Sequence, residues 1–210
     1  MRVDGKSTQY DVHNVILLDA SASMDVREKY HYAKLGVLKE VELCKELGYT
    51  LTLIEFVQSG SIARHYFKTN PDEIQDIRFA GPIGRNTPLY STIINTLSDL
   101  LVSKGPNDKF LVKVMTDGQN NVNDANALET KMMIDKMISL GHTVTFICTN
   151  TDVLYITGIG VDESNITTHD NTGESVNTAF KDQYEASIRY DKRMRSGEDV
   201  TRGFYKKINE

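Results

Sequence analysis

Val15-Ile16-Leu17-Leu18-Asp19-Ala20-Ser21-Ala22-Ser23-Met24 is the stretch from which the rest of the chain can be read. Four consecutive apolar residues ahead of a polar loop describe a strand buried on both faces, as strands of parallel sheets are, whose carboxyl end opens into that loop. Ligand sites of open α/β sheets lie in the crevice at that end of the strands. Asp19, Ser21 and Ser23 place one carboxylate and two hydroxyls at alternate positions. Three hard oxygens from so little chain suit a small hard cation, Mg2+ above all.

On either side of this loop, strand and helix patterns alternate. Residues 25–47 read as a long helix, with Leu35, Leu38, Val41 and Leu43 near helical spacing and Gly48 as its C-cap. Residues 50–57 and 62–67 read as two strands joined by the hairpin-like turn Gln58-Ser59-Gly60-Ser61. After a loop of turn formers at 81–86, Thr87-Pro88 opens a helix to about residue 103, with the proline where a missing N–H costs nothing. A strand at 110–115 ends in Thr116-Asp117-Gly118, followed by a helix at 125–140 and a strand at 143–148. A short helix at 151–158, a short strand at 165–168 and a final helix at 173–195 complete the pattern. The stripe of that last helix is expected at Val176, Phe180, Tyr184 and Ile188. The economical reading is one α/β domain over residues 1–195: a central, mainly parallel six-stranded sheet with one antiparallel edge strand at 62–67 and helices on both faces. Residues 196–210 read as a polar C-terminal tail.

Composition narrows the function classes. A chain of 210 residues with 40% hydrophobic and 25% charged residues suits one globular domain with a sizeable core. A net charge of −5 argues against a nucleic-acid binder, which needs clustered Lys and Arg. Two cysteines, Cys44 and Cys148, have no CxxC spacing and read as buried thiols of a reducing compartment. Residues 1–13 contain no apolar core of a signal peptide, and no stretch approaches membrane-spanning length, so a cytoplasmic location away from membranes is expected. The five histidines show no metal-ligand spacing, and the glycosylation pattern Asn165-Ile166-Thr167 reads as chance.

Three polar loops together carry the chemistry: Asp19-x-Ser21-x-Ser23, Asn86-Thr87-Pro88-Leu89 and Thr116-Asp117-Gly118. The first and third end apolar strands and the second begins a helix. This combination resembles the metal-ion-dependent adhesion site (MIDAS) of von Willebrand factor type A (vWA) domains, whose pattern is Asp-x-Ser-x-Ser, a threonine before a helix, and an aspartate after a buried strand. The matching positions are Asp19, Ser21, Ser23, Thr87 and Asp117, with Met24 and Gly118 also in keeping and Ala22 standing where the family often has glycine. The resemblance spans about residues 12–190. It implies a Rossmann-like vWA fold, a divalent cation (Mg2+, with Mn2+ or Ca2+ as alternatives), and a protein partner that supplies an Asp or Glu to the cation. In the family the hydroxyls ligate directly and the aspartates act largely through water, leaving the cation electrophilic. Stand-alone members of this size resemble bacterial or phage proteins that work in assemblies.

Other readings fit less well. A haloacid-dehalogenase-type phosphatase needs a second aspartate two residues after the first, where this chain has Ser21. Neither a dinucleotide fingerprint nor a P-loop is present. A vWA scaffold that binds partners without metal remains the alternative, with Asp19 and Ser21 serving as turn-capping groups. Asp25, Arg85, Gln119, Asn120 and Asn121 are expected to rim the site and select the partner. Arg189, Lys192, Arg193, Arg195, Arg202, Lys206 and Lys207 form a basic C-terminal segment, read as a solvated face or as a docking surface for an acidic partner.

Overall fold

A computed structural model describes residues 10–207 apart from 59, 60, 85 and 124. Its central strand, β1 (Asp11–Asp19), is paired in parallel along both edges, with β2 (Thr50–Gln58) on one side and β4 (Asp108–Met115) on the other. Beyond β2 lies the antiparallel edge strand β3 (Ser61–Thr69), and beyond β4 lie β5 (Thr143–Thr149) and β6 (Ile166–His169), both parallel. The order is β3-β2-β1-β4-β5-β6, and the six strands, mainly parallel with one antiparallel strand at an edge, match the sheet expected from the sequence.

Alternate residues of β1 feed opposite faces of the sheet. Ile16 and Leu18 pack with α1 (Lys29–Leu47) and α5 (Gly173–Arg195). Val15 and Leu17 pack with α2 (Leu89–Val102) and α3 (Ala127–Ser139), together with Ile156 of the short helix α4 (Val153–Gly158). No helix among the described residues is long and apolar enough to cross a membrane. Both cysteines are free and buried, and burial pushes each thiol up to about 12.

Three expectations about the helices are corrected. The segment after β1 is not one helix from residue 25. A 3₁₀ stretch, Ala22–Glu28, breaks at its end, where Arg27 and Glu28 adopt left-handed φ of 55° and 59° before α1 begins. Within α1, Val41 and Leu43 are buried, but Leu35 and Leu38 are 40% and 45% exposed, and the buried face runs through Tyr30, Ala33, Val37, Val41 and Cys44. Small residues let α5 approach that face: a Cβ placed on Gly36 would lie 2.3 Å from the Phe180 ring. In α5, Val176 and Phe180 are buried as expected, but the stripe continues through Gln183, Ala186, Ser187, Tyr190 and Met194, leaving Tyr184 and Ile188 half-buried.

A buried polar cluster explains part of this shift in face. Lys113 of β4 donates to Glu40 of α1 and to Ser187 of α5, and Glu40 also accepts from Asn14 of β1 and Gln183 of α5. Charges this deep persist only when paired and hydrogen-bonded, so the cluster sets the rotation of both helices about their axes.

Residues 196–207 do not extend as a polar tail. Val200 and Phe204 are buried, and the Thr143 hydroxyl donates to Val200 O at 2.9 Å. Asn165 donates to Thr201 O at 2.8 Å and accepts from Phe204 N at 3.0 Å, so the glycosylation-like asparagine is an internal clamp. Four of the seven basic residues at this end face an acidic side chain: Arg189 pairs with Glu185, Arg193 with Glu198, Arg195 with Asp191 and Arg202 with Asp162.

Two outcomes follow for stability. Gly36→Val is expected to destabilise by about 1–3 kcal/mol in urea unfolding through collision with Phe180, whereas Leu38→Ala on the exposed side shifts stability by less than about 0.5 kcal/mol. Phe204→Ala should cost about 3–5 kcal/mol, as loss of a core aromatic does, where an unanchored tail would give no change.

Candidate functional site

The chain leaves β1 toward β2 and β3 on one side, then returns to build β4, β5 and β6 on the other. The connections after β1 and β4 therefore diverge, and the crevice between their carboxyl ends is the switch point where such sheets bind ligands. Leu18 pairs with Met115, which sets Asp19 beside Thr116 and the loop that follows. Sequence positions 19 and 117 become neighbours for this reason alone.

Asp19 is fully buried at the floor of the crevice. Its Oδ1 accepts from Ser21 N at 2.8 Å, and its Oδ2 accepts from the Thr116 hydroxyl at 2.8 Å. Burial pushes its carboxyl up to about 6, and the nearby Asp117 carboxylate adds to the rise against the pull of the Ser21 and Thr116 hydrogen bonds. Above it, the Ser21 and Ser23 hydroxyl oxygens lie 2.9 Å apart, and the Ser23 hydroxyl donates to Asp117 Oδ1 at 2.7 Å. Ser21 is buried and Ser23 exposed, so the row of oxygens runs from the floor to the solvent.

Thr87 arrives on a third loop held from two directions. On one side, Ile83 N donates to Ala20 O and Ala22 N to Gly84 O, both at 3.0 Å. On the other, Thr87 N donates to Asn121 Oδ1 at 2.6 Å, and Asn121 N donates to Thr87 O at 3.3 Å. Helix α2 starts after Pro88, which offers no capping side chain; Asn120 Oδ1 accepts from Tyr90 N at 3.1 Å instead. Asn120 and Asn121, expected to rim the site and select the partner, are used to fix the Thr87 loop and the start of α2. Gln119 donates to Asp152 at 2.9 Å, Asp25 is exposed, and Arg85 lies outside the described residues.

Three contributors carried no expectation in sequence. Thr116 anchors the Asp19 carboxylate. Lys29, buried at the start of α1, donates from its ammonium to Asp117 Oδ2 and to Asn171 Oδ1. These contacts span 88 and 142 residues, beyond the reach of local spacing.

The donor set fits a hard divalent cation. Its groups are hydroxyls and carboxylates, with no nitrogen or sulfur. The Ser21–Ser23 and Ser23–Asp117 separations of 2.9 and 2.7 Å approach the edge of an octahedron with Mg–O bonds of about 2.0–2.1 Å. Among the described residues, no group of three or more His, Cys, Asp and Glu could hold a metal, so a cation here would depend on hydroxyls.

Neither a protein-family model nor a curated protein sequence matches the chain. Solved structures do. Proximal thread matrix protein 1 of the mussel byssus, in a form with a zinc-occupied MIDAS motif, is 20% identical with a TM-score of 0.60 over 82% of this chain and 47% of its own. The ArnB paralog VWA2 of Sulfolobus acidocaldarius is 18% identical with a TM-score of 0.53, over 83% and 45%. The pilus adhesin SpaC of Lactobacillus rhamnosus GG is 12% identical with a TM-score of 0.60, over 86% and 30%. This chain spans less than half the length of each. At these identities the likeness speaks for architecture. Together with the strand order it shows that the chain has the Rossmann-like vWA fold.

Proposed function

We propose that the protein is a non-enzymatic, metal-ion-dependent protein-interaction module of the cytoplasm. In this reading Ser21, Ser23 and Thr87 offer neutral oxygens to a divalent cation, Mg2+ first among Mg2+, Mn2+ and Ca2+, with Asp19 and Asp117 as its carboxylates. When bound, the cation supplies a Lewis-acidic position for an Asp or Glu carboxylate of a partner. The observation that carries the reading is the chain of contacts from buried Asp19 to Ser21 N, and from the Ser21 hydroxyl through the Ser23 hydroxyl to the Asp117 carboxylate, at the switch point of the sheet. The zinc-occupied MIDAS named for the mussel matrix protein lends support to a divalent ion at this place in the fold.

The chain's own residues prepare the site at an electrostatic cost. Asp19 has a folded-state pKa of about 6, above its ordinary value of 3.8. The metal-free fold is therefore most stable while this carboxyl is protonated and loses stability as pH rises from about 4 to about 6. Two pK units correspond to about 3 kcal/mol at neutral pH. A cation that relieves a buried carboxylate is a physical reason to keep one there.

A phosphatase role is disfavoured by the site itself. Two residues after Asp19, where that chemistry needs a carboxylate, Ser21 is engaged with Ser23. The metal-independent scaffold is the second reading, favoured by two observations: Asp117 already has a counter-ion in Lys29, and Asp19 caps its own turn by accepting from Ser21 N.

Direct titration tests the proposal. Mg2+ or Mn2+ should bind the native chain with one-site stoichiometry by calorimetry, and Thr87→Ala should weaken this by about tenfold or more, as loss of a ligand oxygen does. Partner capture from lysate should disappear in EDTA and in the folded Thr87→Ala variant; capture unchanged in both supports the metal-independent scaffold instead.

Asp19→Asn supplies a second measurement. The amide keeps the bond from Ser21 N and can donate to Thr116, whose hydroxyl has Gly118 O as another acceptor at 2.9 Å. In EDTA at pH 7.5 the variant should melt several degrees above the native chain, with the gap narrowing toward pH 4.5. It should also lose the rise in Tm that Mg2+ gives the native protein. A gap independent of pH would refute the electrostatic cost assigned to Asp19.

A further inference from the structure

Lys29 is 2% exposed, yet its ammonium is spent on the candidate metal site. It reaches there because Arg27 and Glu28 turn the chain through two left-handed conformations immediately before α1. Non-glycine residues hold such backbone only where the surroundings enforce it, and such strain gathers at functional positions. The ammonium bonds Asp117 Oδ2, while Asp117 Oδ1 faces the Ser23 hydroxyl. One carboxylate is thus shared between a permanent internal cation and the row of oxygens. Asn171, itself left-handed at φ 68°, supplies the second acceptor from the loop between β6 and α5.

The charges of these groups suggest what this does. Asp19 and Asp117 alone would make a divalent cation's site neutral when filled. With the Lys29 ammonium against Asp117, the filled site carries one net positive charge. A like charge a few ångströms from a divalent ion weakens its binding, and the same charge attracts an incoming anion. Both effects are strengthened where the groups are buried, as Asp19 and Lys29 are.

We propose that Lys29 is a charge-tuning positioning residue of this site: it lowers affinity for the divalent cation and raises the affinity of the filled site for a carboxylate. The inference rests on the metal-site reading above. It goes further in assigning part of the site's appetite for anions to a residue outside the five-residue motif.

The test uses the full chain, Mn2+ alone as the cation and acetate as the carboxylate. Mn2+ affinity is read by electron paramagnetic resonance, and acetate by water-proton relaxation of the Mn2+-loaded protein. Lys29→Gln and Lys29→Met remove the charge; Lys29→Arg keeps it. Folding of each is verified by circular dichroism, and the glutamine retains a donor for Asp117 if the methionine proves unstable. Both neutral variants should bind Mn2+ on the order of tenfold more tightly and acetate several-fold more weakly, with arginine close to native. Opposite movement of the two affinities is a signature that simple loss of structure does not produce.

Native-like or weaker Mn2+ binding in a folded neutral variant, or unchanged acetate affinity, overturns the role of Lys29 and leaves the metal site standing. Mn2+ binding by Lys29→Gln but not by the native chain supports the weakening of cation binding and overturns the native metal-dependent function. Absence of Mn2+ binding in every protein overturns both.

Discussion

The parallel pairing of β1 with β4 is the constraint from which the functional end of the molecule follows. β1 is hydrogen-bonded along both edges and covered on both faces, so its direction and register are held by the whole sheet. Setting Leu18 opposite Met115 brings two loops together that are almost a hundred residues apart in the chain. Because the connections after these strands run to opposite sides, the loops leave a crevice rather than closing over each other. The Thr87 loop then fits into this crevice through backbone bonds to Ala20, Ala22 and Asn121. Removing the register would scatter the five oxygen-bearing residues, whatever their identities.

That crevice trades stability for readiness. A buried carboxylate is expensive, and Asp19 is held there by Ser21 N and the Thr116 hydroxyl although its burial favours protonation. Asp117 is relieved by a different means, an ammonium delivered from the strained start of α1. The two carboxylates thus have different electrostatic settings within one site. On the proposed reading, Asp19 awaits a cation and Asp117 is already half satisfied.

Much of this was legible along the chain because the signals are local. A run of apolar residues before a polar loop marks a buried strand, and Pro88 and Gly48 mark helix ends by their own backbone chemistry. The motif positions 19, 21, 23, 87 and 117 are found by pattern, and the structure brings their loops to one end of the sheet. The misreadings share a cause. Leu35 and Leu38 satisfy helical spacing as well as Ala33 and Val37 do, and only the close approach of α5 at Gly36 decides which face is covered. The last segment looks polar on average, but Val200 and Phe204 suffice to anchor it against the sheet. Asn120 and Asn121 read as partner-selecting rim groups because nothing local reveals that α2 lacks a cap of its own.

By itself the sequence determined the alternation of strands and helices, the buried central strand and the kinds of oxygen the loops carry. Those properties depend on hydrophobic period, turn chemistry and side-chain identity within short windows. Tertiary structure alone decided that Lys29 would meet Asp117, that Thr116 would hold Asp19, and that the C-terminal segment would join the core. Each of these is a contact between distant parts of the chain, set by strand register and helix rotation. Packing fixes these two quantities for the molecule as a whole, and no local window contains them.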